Sequence, residues 1–173
     1  MNSFYKVFIF VILFSILTIH KVSSKLIFIL FTSNKRQFLN QTNEYRKMHQ
    51  VGSVIMNETI NKISEDYAKK LASQNVLKHS GIKGYGENLL YMSESLVMKR
   101  GIKSWYEEVK YYDFSNPVYN SKTGHFTQLV WKKTKQVGFG VAQNGSRVFV
   151  VCHYTPRGNV IGQFAANVLP LKN

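Results

Sequence analysis

Residues 124–131 read Gly-His-Phe-Thr-Gln-Leu-Val-Trp, and the interpretation of the whole chain starts from this stretch. Its side chains fall into two alternating sets, with Phe126, Gln128 and Val130 in one set and His125 in the other. This alternation predicts a β-strand. Because a strand holds its side chains in fixed positions, His125 at its beginning is expected to reach into a cleft.

A second stretch, residues 149–160, reads Phe-Val-Val-Cys-His-Tyr-Thr-Pro-Arg-Gly-Asn-Val. Its first half is apolar and predicts a strand, and its second half carries the Pro, Gly and Asn of a turn. Cys152 lies in the apolar half and is expected to be a buried residue without a chemical role. His153, like His49 earlier in the chain, is expected to be structural or exposed rather than functional.

The two stretches resemble, in order and in distance from the C-terminus, the two signature motifs of the CAP superfamily. This family includes cysteine-rich secretory proteins, insect antigen 5 proteins and plant pathogenesis-related class 1 proteins. The similarity extends over residues 34–170, which the resemblance identifies as a CAP (SCP) domain. It implies an α+β fold, a three-layer α-β-α sandwich with a central antiparallel sheet.

The chain departs from most secreted animal members of that family in its cysteine content. It has one cysteine, Cys152, so it forms no intramolecular disulfide. In this respect it is more similar to the small Golgi-associated pathogenesis-related type, which lacks the disulfide framework.

Hydrophobic periodicity predicts three helical stretches. Apolar residues recur at helical spacing over residues 36–49, 59–74 and 95–112. Gly101 weakens the third stretch, which could therefore be one helix or two short ones. Trp105 in this stretch is expected to be a core anchor rather than a ligand platform.

A β-hairpin is predicted near the C-terminus. Residues 136–142 and 147–154 are strand-like and flank Asn144-Gly145, a pair typical of a two-residue type I′ turn. With the strand at 124–131, whose Trp131 is expected in the core, three strands and three helical stretches indicate an α+β domain.

Residues 1–24 have the pattern of a secretory signal peptide. Lys6 ends a short basic region, an apolar segment follows, and small residues precede position 25. The expected location is therefore extracellular. Residues 26–31 are apolar again, so an uncleaved N-terminus that anchors the chain to a membrane of the secretory pathway is the alternative. Three sequons would then be candidates for N-glycosylation, at Asn40, Asn57 and Asn144.

Composition favours a globular protein with anionic partners. Hydrophobic residues make up 45% of the chain and charged residues 18%, which excludes a disordered chain. The net charge is +14, and removal of residues 1–24 still leaves +12. Such a charge favours acidic lipid headgroups, sulfated glycans or acidic proteins. Nucleic acid is not expected, since no nucleic-acid-binding motif is present.

The resemblance selects four ionisable residues as the lining of a shared cavity: His79, Glu87, Glu108 and His125. Two imidazoles and two carboxylates in one cleft suit a divalent metal, zinc above all, with His79 and His125 as direct ligands. Glu87 and Glu108 would bind through water or orient the imidazoles. Without metal, each carboxylate could hold its partner imidazole protonated. The spacing alone is not a zinc signature.

The preferred hypothesis is a non-enzymatic secreted binding protein. The resemblance implies binding of sterol, fatty acid or phospholipid, and the basic surface suits an anionic membrane. A metal-dependent hydrolase using the same four residues is one alternative, although no nucleophile motif is present. A secreted effector that binds a host or neighbour protein is the other. The sequence leaves the oligomeric state open.

Overall fold

The structure, a computed structural model, describes residues 35–172. The predicted signal peptide at 1–24 and the apolar run at 26–31 lie outside the described residues. Within 35–172, none of the helices combines the length and the apolar character that crossing a membrane requires.

Helices account for much of the described chain, and their bounds follow. They are α1 (35–48), α2 (Glu58–Gln74), α3 (Glu94–Tyr106), α4 (Gly124–Leu129) and α5 (Phe164–Asn167), with 3₁₀ helices at Glu107–Tyr111 and Ser121–Thr123. The predicted helices at 36–49 and 59–74 are confirmed as α1 and α2. The third stretch changes from α to 3₁₀ after Tyr106, whereas Gly101 lies buried inside α3.

Four strands form one sheet in the order β1-β3-β4-β2. Their bounds are β1 (Ile55–Met56), β2 (Gly86–Ser93), β3 (Gln136–Asn144) and β4 (Arg147–Thr155). The α+β class is confirmed. The sheet is mixed rather than wholly antiparallel, because β1 pairs with β3 in parallel while the other pairs are antiparallel.

The hairpin of β3 and β4 is confirmed, but its turn lies one residue later than predicted. Asn144 pairs with Arg147, so the two-residue loop is Gly145-Ser146. Gly145 has a φ of +57°. A glycine at the first central position fits a type II′ turn rather than the predicted type I′ turn.

One face of the sheet is covered by α2, and two glycines set how closely it packs. A Cβ at Gly138 would lie 2.2 Å from the carbonyl carbon of Ile60, and one at Gly140 would lie 2.0 Å from the carbonyl oxygen of Ser64. Asn61 on α2 also accepts the backbone N–H of Phe139 at 2.8 Å. The helix backbone therefore rests directly on β3.

The other face is covered by α1, α3 and α4, which completes the three layers. The ring of Phe38 on α1 contacts Phe139 at a centroid distance of 5.8 Å. Trp105 on α3 donates from Nε1 to the carbonyl oxygen of Leu89 at 3.3 Å. Trp105 and Trp131 are both buried, which confirms them as core anchors.

An aromatic cluster surrounds Phe126 on this face. His49, Tyr106, Tyr112 and Phe114 all place a ring against it. His49 is fully buried and bonds the carbonyl oxygen of Leu169 through Nδ1 at 2.7 Å, so its predicted structural role is confirmed.

The prediction of a strand at 124–131 is wrong, because Gly124–Leu129 forms helix α4. Residues 126–129 are all buried, and a short segment that is buried on every side shows no periodicity that separates strand from helix. The hydroxyl of Thr127 donates to the carbonyl oxygen of Thr123 at 3.1 Å. The backbone N–H of Val130 donates to the carbonyl oxygen of Phe126 at 3.1 Å, which is a helical hydrogen bond.

Arg46 on α1 is fully buried and holds the far end of α4. Burial lowers the pKa of its guanidinium to about 10. The group is satisfied by backbone carbonyl oxygens at 2.8–3.1 Å, those of Gly52, Leu129, Trp131 and Thr134. Two of these acceptors are at or just beyond the C-terminus of α4, where a cation is favoured.

Candidate functional site

A cleft with a volume of about 710 Å³ lies on the described part of the chain. It opens between the loop before β2, the start of α4 and the loop after β4. His79, Glu87 and His125 line it, and Glu108 lies behind His125. The structure therefore brings the four predicted residues to one place.

The first pair joins the loop after α2 to the beginning of β2. His79 Nδ1 lies 2.6 Å from Glu87 Oε1, which also accepts the backbone N–H of Ser80 at 3.0 Å. The His79 side chain is 67% exposed, whereas that of Glu87 is 8% exposed. A nearly buried carboxylate therefore fixes an open imidazole.

The second pair joins the 3₁₀ helix after α3 to the start of α4. His125 Nδ1 lies 2.6 Å from Glu108 Oε1. Glu108 Oε2 accepts the backbone N–H groups of His125 and Phe126 at 2.9 and 3.2 Å. The carboxylate thus satisfies donors that are free at a helix N-terminus, and it fixes both the ring and the main chain of His125.

A third imidazole, His153, belongs to the site although it is fully buried. The sheet register places His153 on β4 directly opposite Glu87 on β2. Its Nε2 lies 2.9 Å from Glu87 Oε2, a close contact that lacks good hydrogen-bond alignment. Its Nδ1 lies 2.9 Å from the hydroxyl of Ser64, which donates to the carbonyl oxygen of Gly138.

These contacts indicate that Nε2 of His153 presents a hydrogen to Glu87. A lone pair on Nε2 would repel the Glu87 carboxylate at this distance. The Ser64 hydroxyl lies 2.9 Å from both the carbonyl oxygen of Gly138 and Nδ1 of His153, so it bridges the ring to the backbone of β3.

The surroundings of Glu87 keep it ionised. Burial by itself raises the pKa of this carboxyl, but its close contacts with His153, Ser80 and His79 outweigh burial and lower the pKa to about 2. Glu87 is therefore a carboxylate throughout the physiological pH range.

Two amide side chains tie the walls of the cleft together. Asn88 on β2 donates to the carbonyl oxygen of His125 at 3.0 Å and to the Tyr154 hydroxyl at 3.2 Å. Gln128 on α4 accepts the N–H of Gly158 at 2.8 Å. Neither Asn88 nor Gln128 is predictable as a site residue from the sequence, because the contacts of each depend on which loops the fold brings together.

The donor chemistry of the cleft fits a divalent metal in part. Both Nδ1 atoms are held by carboxylates, so Nε2 of His79 and of His125 is the nitrogen left for a metal, the usual arrangement of a zinc-binding histidine. However, residues 35–172 contain no group of three or more His, Cys, Asp or Glu side chains placed to hold a metal ion. A metal bound by the two histidines would take its other ligands from water.

Cys152 and the three sequons lie outside this chemistry. Cys152 is fully buried, as predicted, and burial raises the pKa of its thiol. Asn40 is exposed on α1. The amide of Asn57 donates to Gln136 while its oxygen caps α2, and the amide of Asn144 donates to the carbonyl oxygen of Ala72.

Comparisons with known proteins agree with this architecture. Residues 39–154 match the family model described as "CAP: Cysteine-rich secretory protein family". The human Golgi-associated plant pathogenesis-related protein 1 is 42% identical over 81% of this chain and 97% of its own length. Protein PRY2 of Saccharomyces cerevisiae is 38% identical over 77% of this chain and 40% of its own length.

Solved structures share the fold at lower identity. BmVAL-1 superposes with a TM-score of 0.64 at 22% identity, covering 80% of this chain and 83% of its own. NaASP2, whose crystal structure was determined with Zn²⁺, gives a TM-score of 0.61 at 23% identity over 79% of this chain and 85% of its own.

Proposed function

The chain belongs to the CAP family of cysteine-rich secretory proteins, and from this premise we propose that it is a non-enzymatic, secreted binding protein for lipid or an anionic membrane surface. We also propose that its cleft takes a divalent metal, zinc first, through His79 and His125.

The observation that carries the metal proposal is the matched orientation of two imidazoles on one cleft. Each ring has its Nδ1 within 2.6 Å of a carboxylate. Each Nε2 is then free to act as a neutral ligand. Zinc in the crystal structure of the related fold NaASP2 is consistent with this choice of metal.

The surroundings of the carboxylates support binding rather than hydrolysis. A general base needs a carboxylate that is free to accept a proton. Glu87 is engaged by His79, Ser80 and His153 and has a pKa of about 2, which makes it a weak base. Cys152, the single thiol, is fully buried and offers no nucleophile to the cleft.

A zinc titration by calorimetry tests the metal part. We expect one site in the wild type, with His79→Ala and His125→Ala each weakening binding by about tenfold or more. Arg147→Ala is a suitable control, since this exposed residue lies at the hairpin and not in the cleft. Equal affinity for wild type and both histidine variants would refute the assignment of these ligands.

Vesicle binding tests the lipid part. The net charge of +14 supports preference for acidic headgroups. We expect the protein to co-sediment with phosphatidylcholine vesicles that contain phosphatidylserine, and less with phosphatidylcholine alone. No binding to either kind of vesicle would rule out the membrane function. N-terminal sequencing of the exported protein would test the proposed cleavage after residue 24.

A further inference from the structure

We propose that the mouth of the cleft is the face that docks on an anionic phospholipid surface, with apolar side chains entering the lipid interface and cations contacting phosphates. This inference rests on the proposed membrane function and adds which residues carry it. The mouth is defined here by Ile82, Tyr119 and Ile161, together with Lys83, Lys122 and Arg157.

The apolar part of the mouth consists of three side chains that the fold leaves in solvent. Ile82 is 40% exposed, Tyr119 50% and Ile161 76%, and all three line the same cleft. A single exposed apolar residue is ordinary on a protein surface. Three at one opening form a patch of the kind that marks an interaction site.

These apolar residues come from three separate loops. Ile82 lies between α2 and β2, Tyr119 lies between the two 3₁₀ helices, and Ile161 lies between β4 and α5. Their convergence therefore depends on the fold and not on one apolar segment of the chain.

The charged part of the mouth is cationic. Arg157 lines the cleft, Lys83 follows Ile82, and Lys122 follows Ser121, another lining residue. All three cations are exposed, and none forms a salt bridge within residues 35–172. They are available to an external anion.

No exposed acidic group opposes these cations in the cleft lining. Among the described residues that line the cleft, the one carboxylate is Glu87, whose side chain is 8% exposed and already bonded to His79 and Ser80. The opening therefore presents positive charge to solvent, complementary to an anionic lipid surface.

The combination of features selects a bilayer as the occupant. A soluble polyanion would contact the cations but would gain nothing from Ile82 or Ile161. At a membrane the apolar tips enter the boundary between headgroups and acyl chains, while neighbouring Lys and Arg contact phosphates. The apolar and the cationic side chains of the mouth would then both contact the membrane.

The test measures the partition of the full chain onto phosphatidylcholine vesicles with and without phosphatidylserine. Lys122→Glu combined with Arg157→Glu should weaken binding to the phosphatidylserine vesicles about tenfold or more. The control, Lys99→Glu combined with Arg100→Glu, reverses one exposed Lys and one exposed Arg on α3 and gives the same net charge. It should change the partition by less than about twofold.

A matched pair of single substitutions tests the apolar contribution. Ile161→Ser should weaken partition about fivefold. Ile55→Ser removes an isoleucine that is 62% exposed on β1 and should have no measurable effect. All six substituted sites are on the surface, so far-UV circular dichroism and the unfolding midpoint should match those of the wild type.

The outcomes separate failure of the membrane function from failure of the docking face. Wild type that binds neither vesicle refutes the membrane function itself. Wild type that binds phosphatidylserine vesicles, with mouth variants no weaker than their controls, leaves that function standing and overturns the docking face. Weakening by the charge reversal with no effect of Ile161→Ser would show that the cations alone hold the protein at the vesicle surface, without entry of the apolar side chains, and this also overturns the proposal.

Discussion

The two His–Glu pairs of the cleft have the same internal contact and different surroundings. In each pair Nδ1 lies 2.6 Å from a carboxylate oxygen. The second oxygen of Glu87 faces buried His153, whereas the second oxygen of Glu108 accepts two backbone N–H groups of α4. One carboxylate is held by a buried side chain of the sheet, and the other by the end of a helix.

This difference shows that one contact can serve two structural purposes. Glu87 connects the exposed imidazole of His79 to the buried interior of the sheet. Glu108 fixes where α4 begins, and His125 follows because its ring and its main chain bond the same carboxylate. Substitution of the Glu87 carboxylate should therefore act mainly on folding stability, and substitution of the Glu108 carboxylate mainly on the placement of His125.

The largest expected effect comes from Glu87→Gln. Removal of this charge leaves His153 without its carboxylate partner, and the lowered pKa of Glu87 corresponds to about 3 kcal/mol of unfolding free energy at neutral pH. Glu108→Gln keeps an acceptor for the helix N–H groups and should cost about 1 kcal/mol. Urea unfolding measures both, and equal losses would contradict the difference between the pairs.

The dependence of the unfolding free energy on acid pH should also reveal the contribution of Glu87. The folded-state pKa of Glu87 lies below its ordinary value of 4.5, so its stabilisation is present above pH 4.5 and is lost as pH falls through about 2. Chemical unfolding across this range should give a steeper loss for the wild type than for Glu87→Gln. Parallel curves for the two proteins would show that Glu87 is not held ionised by the fold.

Substitution of His153 should affect metal binding through one pair and not the other. His153→Asn removes the contact with Glu87 Oε2, so Glu87 holds His79 less firmly and zinc affinity should fall about tenfold. In a His79→Ala background the same substitution should have almost no further effect, because the affected ligand is already absent. Calorimetry on the four proteins gives the coupling, and additive losses would place His153 outside the His79 pair.

The smallest expected effect is that of His79→Ala on stability. His79 is largely exposed, and an ion pair of this kind contributes less than about 1 kcal/mol. The thermal midpoint should therefore stay within a few degrees of the wild type, while zinc affinity falls. A large drop in the midpoint would mean that His79 also supports the fold.

Much of the fold could be predicted from periodicity and turn residues. Apolar residues recur at helical spacing along α1 and α2, and strand-like residues flank a turn in the hairpin of β3 and β4. These elements are long enough for such local patterns to identify them. Two strands did not show such patterns. β1 has two residues, and β2 contains three consecutive buried residues, 88–90, instead of an alternation. Helix α4 was predicted as a strand because four of its six residues, 126–129, are enclosed by the core and show no helical periodicity.

The four cavity residues could be selected from the family motifs, but the part played by His153 could not. Its contact with Glu87 depends on the register of β2 against β4, and no strand was predicted at residues 86–93. A histidine in an apolar strand otherwise indicates a structural residue. His153 is structural in that sense, and its Nε2 also contacts the second oxygen of Glu87.

The buried guanidinium of Arg46 makes the cleft dependent on a helix that does not line it. Four carbonyl oxygens converge on this one side chain, and two of them belong to the segment that carries His125. Proteolytic removal of α1 would therefore leave these acceptors inside the core without a donor. Cleavage within α1 is therefore expected to disrupt the cleft, although α1 does not line it. Resistance of α1 to proteases is then a practical measure of whether a preparation can still bind a ligand in the cleft.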